Sequence, residues 1–193
     1  MIVGFIGKRG SGKTLSMTRE CYKYYKKGYK VISNYHLNFS HQLVDFEELF
    51  RLAETQADMG NLVLALDEIH ILLDSRSGMS RENKVMTFWL NQTRKMNITL
   101  LFTTQFLHQV DLRLRSNTDV IVLCDGLTVT KLVDGVRQEF FVCQNEMVFG
   151  DEFKRELFVG NDFFKLYETR QVIRFLSRKQ RLKPRTEDDD DEG

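Results

Sequence analysis

An apolar run, Met1 to Ile6, passes directly into Gly7-Lys8-Arg9-Gly10-Ser11-Gly12-Lys13-Thr14 and then into a helix-forming segment. Few sequence features narrow the choice of fold as much. Between a strand and a helix, the pattern G-x-x-x-x-G-K-[ST] lets small residues curl successive backbone N–H groups around a phosphate at the helix N-terminus. Gly7, Lys8, Arg9, Gly10, Ser11 and Gly12 are therefore read as the cradle, or Walker A loop. Lys13 is expected on the β- and γ-phosphates and Thr14 on a magnesium ion, so the cofactors implied are ATP and Mg²⁺.

A chain of 193 residues is one domain of ordinary size, long enough to bury a sheet between two helical layers but too short for two such lobes. No stretch is long and charge-free enough to span a bilayer, and Met1 to Ile6 is too brief for a signal peptide. Cys21, Cys124 and Cys143 are far apart and lack C-x-x-C spacing, which argues against a disulfide framework or a zinc site. A cytoplasmic setting is expected. The formal charge of +1 hides an asymmetry: residues 187–192 are all acidic, and without them the rest carries about +7. That excess suits a polyanionic partner. The acidic end reads as a solvated tail, which could also compete for the basic surface when nucleic acid is absent.

Pro184 is the only proline, so the expected boundary lies there, with a domain over residues 1–182 and a tail over 183–193. The spacing predicts a helix from Lys13 to Lys27 stopped by Gly28, a strand from Lys30 to Ser33 and a helix capped by Asp45 that runs to about Ala57. Asn61 to Leu66 reads as a strand buried on both faces, Ser80 to Met96 as a helix, and Ile98 to Thr103 and Asp119 to Cys124 as further strands. Strand and helix alternate, giving an open, mainly parallel sheet with helices on both faces. Leu127 to Val133, Asp134-Gly135 and Val136 to Cys143 read as a β-hairpin extension. Glu146 to Tyr167 is expected to pack back on the sheet as a strand or helix, and Glu168 to Arg181 to form a basic helix.

Leu62-Val63-Leu64-Ala65-Leu66-Asp67-Glu68 has the form of a Walker B strand. Asp67 would hold the metal's water shell, and Glu68 would orient and polarise the attacking water. The segment between Lys13 and Asp67 holds a helix, a strand and another helix, so the two motif strands are not expected to be neighbours. This is similar to the P-loop class with an additional strand and a catalytic glutamate, in which the strand after Walker B inserts between the two motif strands. That resemblance implies that Ile98 to Thr103 inserts there and brings Thr104 and Gln105 beside the γ-phosphate, where the Gln105 amide could sense phosphate or place water.

These residues resemble the FtsK/HerA superfamily of DNA-pumping P-loop ATPases. Beyond the two Walker motifs, the resemblance rests on Leu100-Leu101-Phe102-Thr103-Thr104-Gln105, on Gln109-Val110-Asp111 with Arg113 and Arg115, and on Tyr167-Glu168-Thr169. It is closer still to the zonula occludens toxin-like ATPases of filamentous phages and the small packaging ATPases of viruses. The resemblance implies a ring, usually a hexamer, that pumps double-stranded DNA without reading its sequence and meets a virion, portal or membrane protein. It also implies an arginine completing the neighbouring subunit's site. Arg94 best matches that position, with Arg76, Arg113 and Arg115 as alternatives. The toxin-like members commonly continue into a membrane segment, which this sequence lacks. That favours a packaging motor over an extrusion factor, and Glu168 stands where the family's late motif usually has aspartate.

Asp67-Glu68-Ile69-His70 also resembles the DExH box of helicases, but such enzymes need two lobes and a different strand end after Walker B. His70 is then read as incidental. A small-molecule kinase would have little use for Glu68, and a slow nucleotide-switched assembly factor would be indifferent to DNA. For DNA contact, the segment with Arg76, Ser77, Gly78 and Arg81 and the hairpin with Lys131 and Arg137 are the two candidates; either could instead be a subunit contact.

Overall fold

Neighbouring side chains of a strand point to opposite faces, and in the long apolar runs of this chain both directions are buried. Leu62, Leu64 and Leu66 enter one core with Leu100 and Phe102, while Val63 and Ala65 enter a second with Val3, Phe5 and Leu101. A continuous apolar strand is thus the residue pattern of a sheet covered on both sides. The computed structural model of the chain describes residues 1–55, 60–72 and 81–168.

In chain order the elements are β1 (Ile2–Ile6), α1 (Lys13–Lys26), β2 (Lys30–Ser33), β3 (Gln42–Leu43), α2 (Phe46–Thr55), β4 (Leu62–Leu66), α3 (Ile69–Leu72), α4 (Arg81–Lys95) and β5 (Ile98–Thr104). They continue with α5 (Leu112–Ser116), β6 (Val120–Val133), β7 (Val136–Phe149) and β8 (Glu152–Val159). The sheet order is β3-β2-β4-β5-β1-β6-β7-β8. Strands β3 to β6 of that row run parallel, and β7 and β8 are antiparallel. As the resemblance implied, β5 lies between the two motif strands β4 and β1.

Met17 and Cys21 of α1 pack on one face of the sheet; Leu49 and Ala53 of α2, Trp89 and Leu90 of α4, and Leu114 of α5 pack on the other. Helix α1 stops as expected: Gly28, at φ 85°, donates its N–H to the Tyr25 carbonyl. The Asp45 side chain accepts from the Glu48 N–H at 2.8 Å, capping α2. At the centre, Gly4 leaves room for the Phe102 ring, since a Cβ on residue 4 would stand 2.6 Å from that ring.

One element differs from the sequence reading. The strand expected to end at Cys124 and the hairpin arm expected to start at Leu127 are one strand, β6, because Gly126 stays extended against the Phe141 ring, which fills the space a side chain there would need. The region after Glu146 supplies the end of β7, the edge strand β8 and two 3₁₀ turns, Gly160–Asp162 and Phe164–Leu166. Residues 127–142 therefore form a two-stranded ribbon that rises past the end of β1, on the side of the glycine-rich loop. The expected basic helix and the acidic tail lie outside the described residues.

Candidate functional site

The loop after β1 folds as its glycines allow. Gly10 and Gly12 hold φ of 80° and 82°, a region costly for residues bearing a Cβ. Gly7 is forced by crowding instead, because a side chain there would strike the Cys124 carbonyl and the Ser11 hydroxyl. Lys8 and Arg9 are exposed at the loop's rim, whereas Ser11 is buried. The Ser11 Oγ is buried without a hydrogen-bond partner among the described residues. Lys13 is only 6% exposed, and its ammonium donates to the Lys8 carbonyl at 3.0 Å, which holds it inside the loop.

Strand β4 delivers Asp67 to the same place. The Thr14 hydroxyl donates to Asp67 Oδ1 at 2.9 Å, joining the start of α1 to the end of β4 across 53 residues. From the inserted strand, the Thr103 hydroxyl donates to the same oxygen at 2.6 Å and accepts from the Glu68 backbone N–H at 2.8 Å. Burial pushes the Asp67 carboxyl above its ordinary pKa, opposed by the hydrogen bonds from Thr103 and Thr14. Such a carboxylate, with two hydroxyls converging on it and a lysine nearby, suits a hard cation.

Glu68 turns sharply out of the strand at φ 52°, a conformation a non-glycine residue holds only when its surroundings impose it. Asn34 is part of that imposition. It follows β2, is 8% exposed, donates from Nδ2 to the Asp67 carbonyl at 2.9 Å and accepts the Asp67 N–H on Oδ1 at 2.7 Å. The Glu68 carboxylate lies half-exposed, 3.4 Å from His70 Nε2, so the histidine read as incidental is its neighbour. Gln105 is half-buried just beyond β5, level with the start of the loop.

Lys13, Thr14, Asp67, Glu68 and Gln105 are therefore brought together where the parallel strands end, and the ATP and Mg²⁺ read from the sequence fit these groups. The orphaned Ser11 hydroxyl, the glycine-rich loop and Lys13 match a polyphosphate; Thr14 and Asp67 match its metal. Arg94 is not brought there within the chain: it stands in the last turn of α4, at the opposite end of the sheet. Arg113 is held by Asp111, whose two carboxylate oxygens take its guanidinium at 3.0 and 3.1 Å. That interaction draws the Asp111 carboxyl below its usual range. Arg76 lies outside the described residues. In the late motif, Tyr167 bridges to Leu37 and sets its ring edge-on to Tyr35, while Glu168 N–H donates to the His36 carbonyl; Thr169 is not described.

Asn34, Thr103 and His70 were not anticipated as site residues. An asparagine after a short strand reads as loop, and Thr103 differs from its neighbour Thr104 only by the pleat that turns it toward Asp67.

A model of the ATPase family associated with various cellular activities (AAA) matches residues 3–125. No curated protein matches the chain in sequence. Among solved structures, the fold is similar to the N-terminal domain of zonular occludens toxin from Neisseria meningitidis, at TM-score 0.61 and 18% identity, covering 86% of this chain and 98% of that one. It is also similar to the genome packaging NTPase B204 from Sulfolobus turreted icosahedral virus 2 in complex with ATP-gammaS, at TM-score 0.54 and 14% identity, covering 81% and 95%. A third is the pCW3 conjugation coupling protein TcpA, at TM-score 0.58 and 11% identity, covering 83% and 61%.

Proposed function

The chain belongs to the ATPase family associated with various cellular activities, and we propose that it is a DNA-translocating motor of the genome-packaging kind, acting as a homo-oligomeric ring in the cytoplasm. The observation that carries the chemistry is the Thr14–Asp67 hydrogen bond with Glu68 next in the chain. It joins a metal-binding pair to a carboxylate that stands partly open to solvent beside His70. The glycine-rich loop and Lys13 would bind the phosphates, and Thr14 and Asp67 would hold Mg²⁺, which supplies charge neutralisation at the phosphates when bound. Glu68 would orient the attacking water and accept its proton, and Gln105 would sit against the terminal phosphate.

Pumping DNA is the work that fits this site best. Three solved structures of similar fold are a packaging NTPase, a conjugation coupling protein and a toxin domain. The surplus of basic residues outside the acidic tail suits phosphate contacts that ignore sequence. The 127–142 ribbon is a poor grip for DNA, because Lys131 and Arg137 are matched by Asp134 and Glu139, and Leu127, Leu132 and Val136 are exposed. We assign it to contact with another subunit or with a virion protein, leaving the basic segment around Arg76 to Arg81 as the DNA contact. Among the described residues no helix is long and apolar enough to cross a membrane.

The test is Glu68→Gln beside Lys13→Ala, assayed for ATP binding and for hydrolysis with and without double-stranded DNA. Glu68→Gln should keep ATP bound and intact, with turnover down by 10²-fold or more, and Lys13→Ala should bind ATP weakly. Hydrolysis near the wild-type rate in Glu68→Gln removes the catalytic assignment, and wild-type hydrolysis indifferent to DNA removes the motor.

A further inference from the structure

At the end of α1 remote from the glycine-rich loop, the stretch Tyr22-Lys23-Tyr24-Tyr25-Lys26-Lys27-Gly28-Tyr29-Lys30 contains four lysines, four tyrosines and no acid. Cations in the last turn of a helix complement its dipole, which accounts for Lys23 and Lys26 but not for Lys27 and Lys30, which lie beyond it. Beside this stretch is a cavity of about 600 Å³, lined by Tyr25, Gly28, Tyr29, Lys30, Ser40 and Gln42 among others, with no carboxylate among the described residues of its wall. We propose that this cavity is a second, nucleotide-sized site that takes an aromatic base carrying phosphate, distinct from the site at the glycine-rich loop.

The rings are fixed before any ligand arrives. Tyr25 lies 4.9 Å from Phe39 and 6.0 Å from Tyr22, centroid to centroid, and Tyr24 lies 5.1 Å from Tyr29. The Tyr29 hydroxyl accepts from Asn97 Nδ2 at 3.3 Å. Lys26 and Lys27 stand over the Tyr22 and Tyr24 rings at 5.3 and 5.5 Å, and those rings pack against the wall residues Tyr25 and Tyr29, so both ammonium groups lie one ring away from the cavity wall. Lys23 is engaged by Glu20 at 2.7 Å. A second wall residue, His41, is spent on structure: its Nδ1 faces the Phe39 carbonyl at 2.9 Å and its Nε2 accepts the Leu37 N–H at 3.4 Å. Rigid rings with cations beside them are how proteins hold single nucleotides and unpaired strands, by stacking and phosphate neutralisation without base readout. A duplex, whose bases are already stacked on one another, cannot use such a pocket.

An anionic bilayer would also be drawn to the lysines, but Tyr22, Tyr24, Tyr25, Tyr29 and Phe39 are all half-buried in their mutual stacks. No ring stands out to enter a membrane. Helix α1 spans 14 residues, roughly 21 Å at 1.5 Å per residue, so the two sites do not overlap.

The same chemistry could come as a free nucleotide or as an unpaired strand, and two measurements separate these sources. In the first, a fluorescein-labelled oligothymidylate is titrated with wild-type and Lys26→Gln/Lys27→Gln protein over a range of salt. In the second, ATP bound per chain is counted by equilibrium dialysis for the same two proteins and for Lys13→Ala. An unpaired strand as ligand predicts that the double variant lowers the salt slope by about 1.4, two contacts at roughly 0.7 each. Tyr25→Leu would then weaken binding roughly fivefold or more at an unchanged slope. A free nucleotide predicts a second ATP per chain, lost in the lysine variant and retained in Lys13→Ala. Unchanged slope and unchanged stoichiometry overturn the proposal, as does lysine-dependent binding to phosphatidylserine vesicles with oligonucleotide and ATP binding intact. Because Lys13→Ala disables only the glycine-rich loop, failure there is distinguishable from failure of this second site.

Discussion

Replacing Thr103 by valine removes one hydroxyl and almost nothing else, which makes it a sharp probe of how the inserted strand serves the site. In the wild type that hydroxyl donates to the Asp67 carboxylate at 2.6 Å and accepts the Glu68 N–H at 2.8 Å. A hydrogen bond to a charged group contributes about 1.5–3 kcal/mol, and a buried N–H left unpaired costs about 1–3 kcal/mol. If the two add, Thr103→Val loses about 2.5–6 kcal/mol. For a chain of this size each kcal/mol lowers Tm by roughly 2–4 °C, so a drop of at least about 5 °C follows. Thr103→Ser keeps the hydroxyl and should lose only about 0.8 kcal/mol for the missing methyl. Denaturant unfolding of the three proteins measures the difference directly, and ATP turnover should follow it, low in the valine variant and largely restored in the serine one. Acid narrows the gap between valine and wild type, since a protonated Asp67 loses less with its donor than the carboxylate does. Equal unfolding midpoints for the valine and serine variants would refute the reasoning.

Asp67→Asn should abolish Mg²⁺-dependent hydrolysis yet raise the denaturation midpoint of the nucleotide-free protein at neutral pH. The wild-type carboxyl is raised by burial, so it destabilises the fold above its folded-state pKa and ceases to do so as pH falls through that value; the advantage of the asparagine variant should vanish on the same acid limb. Deleting residues 187–193 should tighten binding of double-stranded DNA at low salt and have little effect near physiological salt, where the Debye length is about 8 Å; equal affinities at low salt would leave the tail as a solubility element. Arg94→Ala should bind ATP but turn it over slowly, and mixing it with Glu68→Gln should restore part of the activity neither has alone. If labelled subunits exchange and no activity returns, Arg94 is not the arginine completing the neighbour's site.

The parts of this molecule that were legible from the sequence are those dictated by short-range chemistry. Gly7 to Thr14 can adopt few conformations, a run such as Leu62 to Leu66 can be stable only when buried twice, and Asp134-Gly135 can turn a hairpin. The 53-residue span from Thr14 to Asp67 showed that the two motif strands are not immediate neighbours, and the insertion of β5 between them was implied by resemblance to the P-loop class with an additional strand. The break expected between Cys124 and Leu127 misled in the opposite direction: the chain runs straight through it because Phe141 packs against Gly126. Asn34 carried no signal, since its role exists only once β2 lies beside β4. The lysine–tyrosine stretch was read simply as the end of a helix, because the cavity beside it is formed by residues 40–42 and 62.

The position of β5 also bears on how the chain is made. Strand β4 is complete at Leu66, but the strand that joins it to β1 ends at Thr104. At roughly 5–20 residues per second of synthesis, that leaves on the order of two to eight seconds between the two. During this interval β1 and β4 each present an unpaired edge, and the carboxylate of Asp67 lacks the Thr103 hydroxyl. Unpaired apolar edges recruit other strands, so a nascent chain stalled between residues 66 and 104 is predicted to be open to aggregation through them. The arrival of β5 covers the edge of β4, while the far edge of β1 waits for β6, which begins at Val120.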